Sequence, residues 1–576
     1  MSEAGRAPRS GSAGPHRCLC VSARGHRRLR VCAAMAMLCL AGGPEARARS
    51  PAPPVAAADT IPIEGQPPYL VPTLEAGLGT IVTRIAGNTG APTTPLAGVW
   101  GTDTRHVYSN QQPWNSDQSL LIIENREGGS PTPLILDGNT YEPLFAPCPG
   151  AGLFDYRWHP ARTHPHELIN VSGDGRTLSW FDVTTCTRTR VWTLPVTVNY
   201  GIGSGTGNPS QAGRFVALGN EQGMFVVDMD PQPPLPPYPA VRIGPLYAFP
   251  PCSLSVTFPT NCAIGMLSIS PTGRYVDLKY SGGDDTTTDL HRIYDVDPQT
   301  LALSPHVMSG SAMRCGSFAT RPNGWVFPLK HADLTTDPSD GGEDVLVGGR
   351  ACPGASIGRV VKVRLRDGAV TALTDPLNEA PVSHVSTRNT ARPGWAYVSY
   401  FRAPGKRFSA EIVAVNLDGS HQVERYAHSH GLTPGCYRCE AHPVPSPDGK
   451  RVLFASNWAL DCGDSCGAAS EVRDYVAQFP EVPRPPPGPT SFDLEGAFPN
   501  PSPAEPLVAY SLGDQVPARL ELVDLLGRVV LRRELGEPGP GRHTAVLDAG
   551  HVPQGIYWLR LVQAGRTASA RVVLLR

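Results

Sequence analysis

The sequence predicts an all-β protein in which a β-propeller of about seven blades precedes a C-terminal Ig-like β-sandwich. Three observations carry that prediction. The 576 residues include 60 Gly and 61 Pro at an ordinary 40% hydrophobic content, a balance that favours many short strands and turns over long helices. One strand–turn–strand theme recurs from about residue 98 to 480 at roughly 45–60-residue spacing, the length of a four-stranded blade. Behind a proline-rich stretch the chain then changes to short runs of alternating apolar and polar residues, the pattern of a small sandwich. The expected division is 1–48 as a signal peptide, 49–78 as an extended N-terminal segment, 79–479 as the propeller, 480–493 as the linker and 494–576 as the terminal domain.

At the N-terminus, Arg24, Arg27, Arg28 and Arg30 precede an apolar run over residues 31–41, and Ala46-Arg-Ala48 follows as an A-x-A cleavage signal. That order is the one a secretory signal peptide uses. The apolar run is too short to span a bilayer, and no later run reaches the roughly 18 residues a span needs, so the mature chain is expected to have no transmembrane segment. Leu38 stands before Cys39 where a lipid-attachment signal needs a small residue. The formal charge of -1 conceals an Arg-rich leader and a mildly acidic remainder, which gives no electrostatic footprint for nucleic acid. Beyond the leader lie Cys148, Cys186, Cys252, Cys262, Cys315, Cys352, Cys436, Cys439, Cys462 and Cys466, an even number that favours disulfides in an oxidising compartment. Cys252–Cys262 and Cys315–Cys352 are first pairings by proximity. Cys436 and Cys439 pair either with each other or across a loop with Cys462 and Cys466.

The blades are read from their turns: Trp114-Asn-Ser-Asp117, Ser172-Gly-Asp-Gly175, Ser270-Pro-Thr-Gly273, Arg321-Pro-Asn-Gly324 and Ser446-Pro-Asp-Gly449. Asp-Gly and Asn-Gly suit the left-handed positions of tight turns, and β-branched or aromatic runs follow them. Blades are expected to begin near residues 98, 148, 198, 262, 312, 380 and 430. A ring of small sheets buries their faces and leaves only short edges, and residues 79–85 supply a strand to close it.

Ser446-Pro-Asp-Gly-Lys-Arg-Val-Leu-Phe-Ala-Ser456, introduced by His442-Pro443, resembles the repeat of TolB-like and oligogalacturonate-lyase-like propellers. In the tail, Phe498-Pro-Asn-Pro501, Val523-Asp-Leu-Leu-Gly-Arg-Val529, Pro553-Gln-Gly-Ile-Tyr557 and Arg571-Val-Val-Leu-Leu-Arg576 together resemble the type A C-terminal sorting domain of the type IX secretion system. That resemblance implies export across both membranes to the surface or the medium, with residues 494–576 engaging the outer-membrane secretion machinery. A generic Ig-like adhesion module is the plainer reading of the same strands.

Candidate chemistry is centred on histidine. His106, His159, His331, His384, His428, His430 and His442 fall near blade starts, and inner strands line a propeller's channel. Neutral imidazoles are good metal ligands. The resemblance to oligogalacturonate-lyase-like propellers implies a channel-bound divalent metal held mainly by His, manganese or calcium, with His384, His428, His430, His442 and His331 as its ligands here. Arg425 departs from that pattern, standing where a neutral ligand would help. The plainer reading is that these histidines cap strands. Acidic loops at Asp284, Asp285 and Asp289 and at Asp337, Asp340, Glu343 and Asp344 are candidates for calcium without following a known loop spacing. Gly201-Ile-Gly-Ser-Gly-Thr-Gly207 lacks the Lys-Ser/Thr of a phosphate loop and is read as a connection. Trp114, Trp158, Trp395 and Trp458 are placed either on sugar-stacking loops or in the core. Two functions follow: an exported propeller that binds glycan or protein, or a metal-dependent polysaccharide lyase or hydrolase. No catalytic group is assigned.

Overall fold

The computed structural model describes residues 65–575 except 76, 149–151, 203–206, 221, 232–240, 249–262, 282–289, 307–325, 351–358, 375–377, 433–435, 460–470, 481–491, 499, 503–505 and 540. Among the described residues the first part of the chain pairs into five sheets, two of which each join the strands of two blades, so that seven small blades follow one another. The sixth shows the unit in full: Val382–Ser386, Trp395–Tyr400, Glu411–Asn416 and Val423–His428, paired in that order. The other blades open on Asp103–Arg105, Asp155–Trp158, Ala263–Ile269, Val326–Asp337 and Val444–Pro445. In the third, a single bridge from Tyr200 to Gly219 marks the inner segment before Phe215–Asn220.

A repeated turn sets the spacing. Ser446 accepts the Gly449 N–H at 2.8 Å and the Ser446 hydroxyl donates to Asp448 at 2.6 Å. Ser270 and Gly273 repeat the backbone bond, and so do Ser210 and Gly213, a turn the sequence reading did not single out. Gly449 has φ +66°, and a Cβ there would lie 2.6 Å from the Tyr397 hydroxyl of the preceding blade. Glycine is therefore needed twice, for its backbone and for the contact with the next sheet. In the second blade the turn Ser172–Gly175 falls one hairpin later, between Glu167–Val171 and Thr177–Asp182.

The ring closes as expected from residues 79–85. Thr80–Arg84 runs antiparallel to Val472–Gln478, with Ile81 opposite Gln478 and Arg84 opposite Tyr475. The N-terminal strand thus completes the seventh blade, whose other strands are Val444–Pro445, Arg451–Ser456 and Val472–Gln478. Thr73–Glu75 folds back on it as a further edge strand. Val82 enters the apolar layer between the sixth and seventh blades with Ile412, Tyr426, Phe454 and Tyr475.

After the linker, Asp493–Phe498, Leu507–Leu512 and Gly541–Val546 form one sheet. Val529–Gly536, Ala518–Val523, Gly555–Gln563 and Arg566–Leu574 form the other. Alternate residues such as Leu520, Leu522, Leu559 and Leu561 point into a common core with Val508 and Tyr510, giving an Ig-like sandwich.

Two disulfides are present among the described residues, Cys148–Cys186 and the local Cys436–Cys439 bridge. The expected Cys252–Cys262 and Cys315–Cys352 pairs and Cys462 and Cys466 lie outside the described residues. So do the signal peptide, most of the linker and the acidic group Asp284, Asp285 and Asp289.

Val82→Asp places a carboxylate in the apolar layer beside the closing strand. The variant is expected to lose about 3 kcal/mol or more of stability in urea unfolding. Val82→Thr at the same position should lose less.

Candidate functional site

The inner strands of the fifth and sixth blades and the segment leading into that of the seventh bring His331, His384 and His442 together. The His331 and His384 rings stack at 3.9 Å and 14°, and His384 and His442 lie 3.9 Å apart at 32°. Tyr108 approaches the edges of His384 and His442 at 5.3 and 5.0 Å. Tyr437 packs edge-on to His442 at 5.1 Å and bonds the Tyr108 hydroxyl at 2.9 Å. Tyr437 is exposed, so the two phenols stand between the buried imidazoles and solvent. The Cys436–Cys439 bridge braces the short turn Tyr437–Cys439, which ends at Glu440.

Glu440 and the two buried imidazoles offer donor atoms within 4.8 Å of one another. Glu440 Oε2 lies 3.3 Å from His384 Nδ1 and accepts from the Ser383 hydroxyl at 2.9 Å. His442 Nε2 is 3.1 Å from the Tyr437 carbonyl, an acceptor, so that nitrogen carries the proton. Its Nδ1 then presents a lone pair, and it is buried without a hydrogen-bond partner among the described residues. His442 also sits at φ +44° and His331 at φ +48°, a left-handed backbone uncommon outside glycine.

Burial, reinforced by neighbouring imidazoles and by Arg105, holds His384 and His442 well below the ordinary histidine value. Both are neutral at pH 7, the form that ligates a metal. Burial raises the Glu440 carboxyl. Arg105 itself is lowered to about 10 by burial and Arg438, and its guanidinium donates to the carbonyls of His106, Val107 and Arg438.

Of the histidines expected to meet in the channel, His384, His442 and His331 do. His331 adds a stacked ring, with Nδ1 bonded to the Ser383 carbonyl. His428 and His430 do not join them: His428 ends the outermost strand of the sixth blade, Val423–His428, and pairs with Glu75 at 2.7 Å. Arg425, on that outer strand, is bound by Glu411 at 2.6 Å. His106 is committed to Asp474 at 2.8 Å and to the His442 carbonyl at 2.6 Å, so it supports the backbone of a candidate ligand. His159 packs on Trp180 at 4.4 Å. Asp333 accepts from Thr387 and Arg388, joining the fifth and sixth blades. The acidic loop at Asp337, Asp340, Glu343 and Asp344 is bound to Lys362, Arg364, Arg274, Arg366 and the Ser270 and Thr272 hydroxyls.

The sugar-stacking alternative for the tryptophans is corrected by their positions. Trp114, Trp158 and Trp458 are buried, and half-buried Trp395 lies under the Arg392 guanidinium at 4.3 Å. A separate cavity follows the far ends of the inner strands, lined by Gln112, Arg157, Asn208, Thr387 and Arg388. Glu440, Tyr108 and Tyr437 were missed by sequence reading, although Glu440-x-His442 and His106-x-Tyr108 place each beside a candidate histidine on an extended segment.

Residues 496–575 match the family described as the secretion system C-terminal sorting domain. The chain is a surface or extracellular β-propeller exported by the type IX secretion system. Among solved structures, an oligogalacturonate lyase in complex with manganese is similar at 16% identity and a TM-score of 0.42, over 71% of this chain and 96% of that one. PorZ, a bacterial surface component of the type IX secretion system of Porphyromonas gingivalis, is similar at 10% identity and a TM-score of 0.33, over 89% of this chain and 60% of that one. No curated protein sequence matches the chain. No helix of the described residues is long and apolar enough to cross a membrane.

His159, pushed down to about 3 by burial and by His164, joins His384 and His442 as an imidazole that stays neutral when folded. The unfolded chain takes up protons there that the folded chain refuses. Their stability is complete above the unfolded histidine value of about 6.5 and falls as pH drops below it, by up to about 1.4 kcal/mol per pH unit for each group. His306, raised on balance by Asp295 against its burial, acts in the opposite sense. Urea unfolding of metal-free protein between pH 7 and 5 should show this decline, and His159→Gln should flatten it by one group's share.

Proposed function

We propose that this exported propeller binds a carboxylate-bearing glycan at its channel mouth, around a divalent transition metal held by His384, His442 and Glu440. The observation that carries the reading is the buried lone pair at His442 Nδ1, next to a neutral His384 and a carboxylate. Two imidazoles and one carboxylate suit manganese or a similar ion better than calcium, which prefers oxygen donors. Such an ion supplies positive charge for an anionic ligand and polarises its carboxylate. The chain's own groups do the rest. Tyr437 and Tyr108 offer hydroxyls at the mouth, and Lys330 adds a cation whose field reaches His384 and Glu440. The stacking of His331 on His384 and the bond from His106 to the His442 carbonyl hold the rings in place.

The second reading, a metal-dependent polysaccharide lyase, is favoured by one contact: the Tyr437 hydroxyl lies 3.3 Å from His384 Nε2. A phenol beside the metal ligands and open to solvent is in position, once its own proton has passed to solvent, to take a proton from a bound sugar as the phenolate. Formation of an unsaturated product from a uronic-acid polymer, lost in Tyr437→Phe, would decide for the lyase; binding without turnover decides for the binder.

Elemental analysis of the mature chain after manganese loading should find metal, with the channel's share lost in both His384→Ala and His442→Ala. Binding of a uronic-acid polymer should fall at least about tenfold in those variants and on chelation, equivalent to about 1.4 kcal/mol. Full polymer binding by chelated protein would end the metal-centred reading. The sorting tail leaves Ile556 and Trp558 exposed on its four-stranded sheet. Removal of residues 494–576 should leave a folded propeller inside the cell envelope, read by fractionation and surface protease accessibility.

A further inference from the structure

Glu75, His428 and His430 come from two distant parts of the chain and meet in a buried cluster. Glu75 ends the edge strand Thr73–Glu75, His428 ends the outer strand of the sixth blade, and His430 begins the crossing to the seventh. All three are buried, at 1%, 8% and 0% exposure. Glu75 Oε1 lies 2.7 Å from His428 Nδ1 and 3.5 Å from His430 Nε2. It also accepts the His428 N–H at 3.1 Å. The two rings are 74° apart, so they converge on the carboxylate from different directions.

The cluster is built to hold these orientations. His430 has φ +47°, which turns its side chain back toward Glu75, and its ring stacks on Trp458 at 4.3 Å and 17°. Trp458 is itself at φ +49°. Two left-handed residues in contact fix one imidazole, a strained arrangement that fits a positioned ligand better than a surface histidine. Glu75 is buried with its Oε1 bonded to the His428 N–H and to His428 Nδ1, so its carboxylate is held among imidazole nitrogens away from solvent.

We infer that Glu75, His428 and His430 form a second metal site, separate from the channel, that binds zinc or a zinc-like divalent ion and clasps the N-terminal hairpin to the sixth blade. Two imidazoles and a carboxylate are a common zinc donor set, and bonds of about 2.1 Å to one ion put tetrahedral donor atoms about 3.4 Å apart. The contacts of 2.7 and 3.5 Å need only a small opening to reach that spacing. The site lies on the seam where the ring closes. A few residues away the Thr80 hydroxyl donates to the Tyr426 carbonyl at 2.6 Å across the same seam. An ion here ties the closing hairpin to the sixth blade by bonds that outlast fluctuations of a single edge strand.

The test uses the mature chain carrying His384→Gln and His442→Gln, which removes the channel ligands and leaves the seam intact. After demetallation it is titrated with zinc alone, with bound metal and thermal midpoint as readouts. The expected result is one zinc per chain and a midpoint raised by about 5 °C or more. Adding Glu75→Gln or His428→Gln should abolish both. Cobalt substitution gives a readout that does not depend on those variants folding: the channel-free chain should show the intense visible absorption of a four-coordinate ion. A folded channel-free chain that retains no zinc and gives no such cobalt spectrum overturns the site and leaves an ion pair in its place. Zinc binding unchanged by both seam substitutions overturns it equally.

Discussion

Thr80–Arg84 and Val472–Gln478 lie antiparallel, and this pairing holds the two ends of the propeller chain together while the blades between them stay packed on their neighbours. Without it, the seventh sheet would present Val472–Gln478 as an open edge beside the apolar layer that contains Tyr475 and Ala477. The entropic cost of closing so long a loop grows only logarithmically with length, so local contacts along one strand pair are enough to repay it. The consequence reaches the channel. His331, His384 and His442 belong to three different blades, and their 3.9 Å spacings require those blades to keep their places around the ring. A side-chain cluster of this kind is a property of closure, not of any one blade.

Burial treats the two histidine groups differently. In the channel, stacked imidazoles and nearby Arg105 make a proton on any one ring unfavourable, so His384 and His442 stay neutral. At the seam, Glu75 puts a negative charge between two rings and is itself stabilised by them. The first arrangement offers lone pairs, the second a fixed charge with donors around it. Both are costly in an apolar interior without compensation. Each is also held by left-handed backbone at histidine, His331 and His442 in one and His430 in the other. Four other buried histidines each commit at least one ring nitrogen locally, as His106 with Asp474, His291 with Asp277, His306 with Asp295 and His159 with the Ala161 N–H show.

What was legible in the sequence depended on range. The Ser-x-x-Gly turns, the alternating strands and the tail motifs are local, and the blades fall close to the spacing they set. The closing strand was also legible, because the β-branched run within residues 79–85 stands just before the first blade. Convergence of His384, His442 and His331 followed from the rule that inner strands face the channel. The same rule misplaced His428 and His430: an alternating run looks alike on an inner and an outer strand, and only the pairing order puts Val423–His428 at the outside. Glu75 carried no signal at all. It reaches His428 because the N-terminal hairpin is added to the last blade, a relation of topology that leaves no trace in local composition. Trp114 and Trp458 were ambiguous for a related reason, since large aromatics serve both cores and binding faces.

The crossing from the sixth blade to the seventh links these themes. His428 and His430 stand at its start, on the seam, while Tyr437, Glu440 and His442 stand at its end, in the channel. Between the outer strand of one blade and the inner strand of the next, the same connection therefore carries donors of both clusters. The Cys436–Cys439 bridge stiffens the inner end, and Arg438 within that turn pairs with Asp103 and Glu124 of the first blade. The stacking of His430 on Trp458 anchors the outer end to the seventh blade. With both ends fixed to neighbouring blades, the donor atoms of Glu440 and His442 inherit their positions from the closed ring, and a group that tightens the seam also tightens the segment that presents them.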